Sequence, residues 1–90
     1  MRAPVRSTAF KKDVKRMAKR GKKMAKLKAV IGMLLAGEPL DPRLRDHPLK
    51  GEWAGWRDLH IEPDWLLLYR MSETELLLAR TGTHSDLFGE

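Results

Sequence analysis

The stretch Trp65-Leu66-Leu67-Leu68-Tyr69-Arg70-Met71-Ser72-Glu73-Thr74-Glu75-Leu76-Leu77-Leu78-Ala79-Arg80-Thr81 decides the fold. Two apolar runs, Trp65 to Met71 and Leu76 to Thr81, flank the polar connection Ser72-Glu73-Thr74. A connection that short joins neighbouring strands only in antiparallel fashion. Helix propensity alone argues against strands in Leu66-Leu67-Leu68 and Leu76-Leu77-Leu78. Both runs are apolar on both faces, so both strands are expected to be central and covered.

Upstream, Glu62-Pro63-Asp64 is a second turn, and Trp53 to Ile61 becomes a third strand of the same meander. Period two along that strand puts Trp56, Asp58 and His60 on one face and Arg57, Leu59 and Ile61 on the other. Residues 37 to 51 hold three prolines and two glycines and read as a loop with one short turn of helix, carrying His47.

Before that loop the apolar period is helical. Ser7 or Thr8 offers an N-cap for a helix over roughly 8 to 20 with Phe10, Val14, Met17 and Ala18 on one stripe, ended by Gly21. A second helix, roughly 22 to 36, carries Met24, Leu27, Ile31, Leu34 and Leu35 and stops at Gly37-Glu38-Pro39. Residues 3 to 7 form a short first strand. The predicted fold is therefore α+β: one compact domain over residues 1–90, ordered β-α-α-β-β-β, with an N-terminal helical hairpin packed on an antiparallel sheet.

Ninety residues suit one modest core. The absence of cysteine removes disulfides and thiolate metal sites and fits a reducing compartment. No apolar run is long enough for a signal peptide or a membrane span, so a soluble cytoplasmic protein without membrane partners is expected. Charge is segregated: residues 1 to 28 hold twelve Lys/Arg against one acid, Asp13, and residues 29 to 90 hold six against eleven. Such a basic segment is a footprint for a polyanion, either nucleic acid or an acidic protein. The candidate docking residues are Lys11, Lys12, Lys15, Arg16, Lys19 and Arg20. A solvated face of good helix formers is the plainer account.

All three histidines fall in the C-terminal half, each in a polar cluster: Asp46-His47, Asp58-Leu59-His60 and Thr83-His84. Imidazole exchanges protons near neutral pH, with an ordinary pKa of about 6.5, so three of them beside carboxylates point to acid/base chemistry or a metal. Asp58 and His60 share a strand face. His47, from the loop before that strand, and His84, just past the last strand, can meet them at one sheet edge. Trp65 and Phe88 would supply flat apolar surface beside the cluster, although core packing is the default for an aromatic.

Asp46-His47-Pro48-Leu49-Lys50-Gly51, Trp56-Arg57-Asp58-Leu59-His60-Ile61-Glu62-Pro63-Asp64-Trp65, Leu68-Tyr69 and Arg80-Thr81-Gly82-Thr83-His84, closing on Leu87-Phe88-Gly89, carry a resemblance over nearly the whole length. The chain resembles the RelE/ParE superfamily of bacterial toxins, and within it the YafQ-type mRNA endoribonucleases. The resemblance implies a toxin of a type II toxin–antitoxin system that cleaves mRNA on the translating ribosome without metal or other cofactor. It also implies a cognate acidic antitoxin, whose complex with the toxin binds its own operator DNA. The matching functional positions are His47, His60, Asp64 and His84, with Asp58, Trp65 and Phe88 supporting or contacting substrate. The chain departs from RelE proper, whose site uses Lys and Arg, and from ParE-type gyrase inhibitors, which lack such a cluster.

Cleavage of RNA through its own 2′-hydroxyl needs a base, an acid for the leaving 5′-oxygen, and positive charge at the phosphorane. Two imidazoles and a cation suffice, each proton transfer contributing typically ~10²–10⁴-fold. His60 and His84 form the base/acid pair in open order, with His47 on the phosphate. Asp64 either orients an imidazole or is itself the base. Arg80 and Arg57 are candidate phosphate ligands, although Arg57 sits on the face opposite His60. Trp65 and Phe88 could stack on an unpaired base. Two alternatives stand beside this: zinc held by the histidines and an aspartate, and a non-enzymatic module binding nucleic acid through Lys11 to Lys28, which leaves the histidines without a role.

Overall fold

The computed structural model describes residues 2–89. In chain order it holds β1 (Ala3–Arg6), α1 (Thr8–Lys19), α2 (Met24–Ala36), β2 (His47–Pro48), β3 (Arg57–Glu62), β4 (Trp65–Met71), β5 (Glu75–Gly82) and α3 (His84–Phe88), with single 3₁₀ turns at Pro42–Leu44 and Gly51–Trp53. The sheet runs β1-β5-β4-β3-β2, which puts β4 in the middle.

The leucine run of β4 explains that position. Trp65, Leu66, Leu67, Leu68 and Tyr69 are all buried, as only a central strand covered on both faces allows. Leu59, Trp65, Leu67, Tyr69, Leu76 and Leu78 pack with Phe10 and Met17 of α1 and Leu27, Val30 and Leu34 of α2 in one core. Truncating one of these buried leucines to Ala would cost about 2–5 kcal/mol. Ala18, expected on the α1 stripe, is exposed, and Val30 takes a core place on α2 that the sequence pattern had not assigned.

α1 starts where Ser7 Oγ accepts the Phe10 N–H at 2.9 Å, a cap that stabilises by about 1 kcal/mol. The Ser7 hydroxyl also donates to the Ala79 carbonyl, 2.7 Å away, so the capping residue ties the helix to β5.

Three corrections concern the sheet. It is mixed rather than wholly antiparallel, because β1 pairs with β5 in parallel, Ala3 opposite Glu75. Short turns fix the direction only of consecutive strands, and β1 and β5 are not consecutive. The loop of residues 37 to 51 contributes the two-residue strand β2, antiparallel to β3 with His47 opposite Asp58. β3 itself begins at Arg57 rather than Trp53, since Gly51 and Gly55 adopt positive φ and Trp53 closes a 3₁₀ turn. α3 was not foreseen.

Candidate active site

Cross-strand partners share a sheet face, which brings the site together. Asp58 faces His47 on one side and Leu68 on the other, and His60 faces Leu66. Leu66 and Leu68 are fully buried and make an apolar floor. On it three imidazoles stand in a row: the His47 and His60 ring centroids are 6.2 Å apart, and those of His60 and His84 5.6 Å. All three sequence candidates converge, with His60 in the middle.

His60 Nδ1 is buried without a hydrogen-bond partner, and so is Asp58 Oδ1 on the same strand face. Burial pushes the His60 pKa below 6.5, and the charges of His84, His47 and Arg45 push it the same way against the pull of Asp58. Burial also raises the Asp58 carboxyl above its usual 3.8, with His47, His60 and His84 opposing. Both groups are thus moved toward their neutral forms. Unsatisfied buried polar atoms are uncommon, and two at one spot mark a place where polar groups serve something other than stability.

The outer rings are anchored instead. His47 Nδ1–H donates to the Arg45 carbonyl at 2.7 Å. Asp58 Oδ1 lies 3.1 Å from the same nitrogen but receives no hydrogen bond, because the N–H points at the carbonyl. His84 Nδ1–H donates to Asp64 Oδ1 at 2.6 Å, and the His84 backbone N–H reaches the same oxygen at 2.9 Å. Those two bonds, backbone first, hold the Asp64 pKa below its ordinary value, so Asp64 is a carboxylate that orients His84. In both outer rings Nδ1 is bonded, and Nε2 has no hydrogen-bond partner among the described residues.

α3 places His84. Thr83 Oγ1 accepts the Asp86 N–H at 3.1 Å while Asp86 Oδ2 accepts the Thr83 N–H at 3.0 Å, a reciprocal cap that starts the helix at His84. Asp86 also accepts a fork from Arg20, and that hydrogen bond, ahead of the cap's, keeps its carboxyl far below the usual range. A Cβ on Gly82 would lie 3.1 Å from the Asp86 side chain, so a larger residue there would press on the cap. The pattern Thr83-His84-Ser85-Asp86 with Gly89 beyond was the signal for this helix.

Several sequence candidates are placed differently. Trp65 has no exposed surface, and its Nε1–H donates to Thr81 Oγ1 at 2.9 Å, so it belongs to the core and offers no face to a base. Arg80 is committed to the buried Asp13 through Nε and Nη2, at 2.6 and 3.1 Å. Arg57 is bonded to Asp46, which also accepts the Tyr69 hydroxyl. Arg16 pairs with Asp13 and Arg20 with Asp86, so these two hold the fold together. Lys11, Lys12, Lys15 and Lys19 are exposed, with no carboxylate partner among the described residues. Phe88 is half-buried at the end of α3. Asp13, Asp86 and Arg45 went unmarked in the sequence. No group of three or more His, Asp or Glu among the described residues is arranged to hold a metal.

Residues 2–89 match the family described as "Bacterial toxin of type II toxin-antitoxin system, YafQ". The chain belongs to that family. It is 48% identical over 84 residues to the mRNA interferase toxin YafQ of Escherichia coli K12, covering 92% of this chain and 91% of the relative. Its fold matches a chain in the crystal structure of the E. coli DinJ-YafQ complex with a TM-score of 0.91 and 46% identity, over 99% of this chain and all (100%) of the other. A metal-bound toxin from Helicobacter pylori matches with a TM-score of 0.91 and 41% identity, over 98% of this chain and 100% of that one. This chain shares its α+β fold with these proteins, and no helix among the described residues is long and apolar enough to cross a membrane.

Proposed function

We propose that this chain cuts mRNA on the translating ribosome by attack of the RNA's own 2′-hydroxyl, needs no metal, and is silenced by a cognate acidic antitoxin. The endoribonuclease activity rests on the 48% identity with an mRNA interferase toxin. The antitoxin rests on the relative found in the DinJ-YafQ complex, and operator binding by such a complex belongs to the same proposal. The observation that carries the mechanism is the row of three imidazoles, its central ring kept neutral by burial between two rings anchored through Nδ1.

A neutral His60 is the group ready to take the 2′-hydroxyl proton. His84 then protonates the leaving 5′-oxygen from Nε2, with Asp64 as the counter-ion of its imidazolium form. His47 offers its Nε2 to the phosphorane, and Phe88 supplies apolar surface at the rim. General acid/base catalysis of this kind contributes ~10²–10⁴-fold per proton transfer, and donors aimed at the developing charge add to it. The lysines of α1 are suited to rRNA phosphates, which give affinity without sequence information.

His60→Ala and His84→Ala test the assignment: each should abolish growth arrest while still binding the antitoxin. The products should carry 2′,3′-cyclic phosphate and 5′-hydroxyl ends. The metal-bound H. pylori relative favours a metal-assisted second reading. Ends of 3′-hydroxyl and 5′-phosphate, or activity lost to EDTA after ribosomal magnesium is restored, would establish that reading instead.

A further inference from the structure

The sequence offered Arg57 and Arg80 as phosphate ligands beside His47, and Trp65 beside Phe88 as a stacking surface; Arg57, Arg80 and Trp65 are consumed by the fold. The functions they were meant to serve remain, and one part of the surface next to His60 can serve them. A groove of about 640 Å³ opens beside His60, between the 3₁₀ turn at Pro42–Leu44, the end of α2 and the β3–β4 turn. Its walls are apolar, built by Met33, Leu44, Ile61 and Pro63, and Arg45 stands on its rim.

Arg45 differs from the other guanidiniums around the rings. It is exposed and has no carboxylate partner among the described residues, whereas Arg43 on the same rim is paired with Asp41 at 3.2 Å. The groove's other carboxylate, Glu62, is matched by Lys22 and Lys26 at 2.9 and 2.8 Å. Neither lysine lines the groove, so among its lining residues the cation without a carboxylate partner is Arg45. The residue is also fixed in place: its backbone has φ 52°, its N–H bonds the Pro42 carbonyl, and its own carbonyl receives His47 Nδ1–H. A non-glycine residue in the left-handed region is uncommon, and such residues cluster where a ligand is clamped. The same residue thus orients one ring of the site and presents a cation beside another.

Building on the cleavage mechanism proposed above, we infer that this groove is a nucleotide subsite flanking the cut: its apolar walls seat one unpaired nucleoside, and Arg45 binds the scissile phosphate. The occupant follows from continuity, since His60 lines both the groove and the catalytic row. It follows also from charge, since guanidinium forks match phosphate oxygens. Apolar walls with an imidazole and a guanidinium beside them suit a base that is not paired.

The test is cleavage of a defined mRNA on programmed ribosomes, with the cut sites mapped. Arg45→Asn removes the charge while keeping a residue that tolerates the left-handed backbone. It should lower the rate about 10²-fold, and by the same factor at every cut site, because a phosphate contact carries no sequence information. Arg45→Lys should recover part of that loss. Met33→Trp, which fills the groove, should change which nucleotide is accepted beside the cut. Leu44→Trp on the opposite wall repeats that test, and thermal unfolding confirms that each variant folds. An unchanged rate in Arg45→Asn, or unchanged nucleotide preference in both folded Trp variants, overturns the inference. His60→Ala separates the two levels. Full activity there means the acid/base mechanism itself is wrong, whereas an inactive His60→Ala beside unaffected groove variants removes the subsite alone.

Discussion

Arg20 closes a fork on Asp86, with Nη1 2.6 Å from Oδ2 and Nη2 3.0 Å from Oδ1. The pair fastens the end of α1 to the residue that caps α3, and α3 begins with His84. A basic residue that looked like a docking contact is thereby a positioning residue. Arg20→Gln should lower the cleavage rate at saturating ribosome by about tenfold, because small misplacements of a catalytic group are costly. Lys19→Gln, one position away, should leave that maximal rate alone. Single-turnover cleavage with both variants decides this: a wild-type rate in Arg20→Gln would confine the fork to stability.

Asp58 should weaken the fold that contains it. Burial raises its pKa above 3.8, so its contribution to stability is fully present below that pH and is lost as pH rises through the folded-state value. Asp58→Asn abolishes this titration. The melting temperature of the variant relative to wild type should therefore climb between about pH 4 and about pH 7, while cleavage falls. A flat difference across that range would show that the carboxylate is well accommodated as an anion.

Trp65→Phe distinguishes core from substrate contact. Losing the indole N–H removes the bond that Thr81 Oγ1 accepts, leaving the one it donates to the Leu66 carbonyl, and opens a small cavity, which together should cost about 1–3 kcal/mol by denaturant unfolding. Cleavage at a temperature where the variant is fully folded should stay near wild type. A deep loss of activity without loss of stability would return this tryptophan to the site.

Replacing Lys11, Lys12, Lys15 and Lys19 by Gln should weaken ribosome binding and flatten its salt dependence, each lost phosphate contact removing roughly 0.7–0.9 from the log-log slope. The positions of the cuts should not move. Sedimentation at several salt concentrations gives affinity and slope together, and an unchanged slope would assign these lysines to the antitoxin or to solubility.

The meander was legible because each of its signals is local: apolar runs of strand length separated by three-residue polar turns. The histidine set was legible because few side chains do acid/base work at neutral pH, and all three sat near predicted strand ends. What stayed hidden depends on partners remote in sequence. Arg80 is taken by Asp13, 67 positions away, and Trp65 by Thr81, 16 away. Periodicity shows which face a side chain occupies and says nothing about the carboxylate waiting there. β2 and α3 escaped for another reason, being too short, at two and five residues, to establish a period.

The pairing of β1 with β5 joins residues made far apart in time; Ser7 and Ala79, which share a hydrogen bond at this seam, are 72 positions apart. A chain emerging N-terminus first therefore holds its opening strand unpaired until β5 arrives, and His84 follows later still. A product that stops before residue 75 lacks both β5 and the third imidazole, and one that stops between β5 and residue 84 lacks that imidazole alone. Order is thus written into the topology: on the mechanism proposed above, the three imidazoles come together only after β5 and residue 84 have been made, and a copy that stops short of them should not cut.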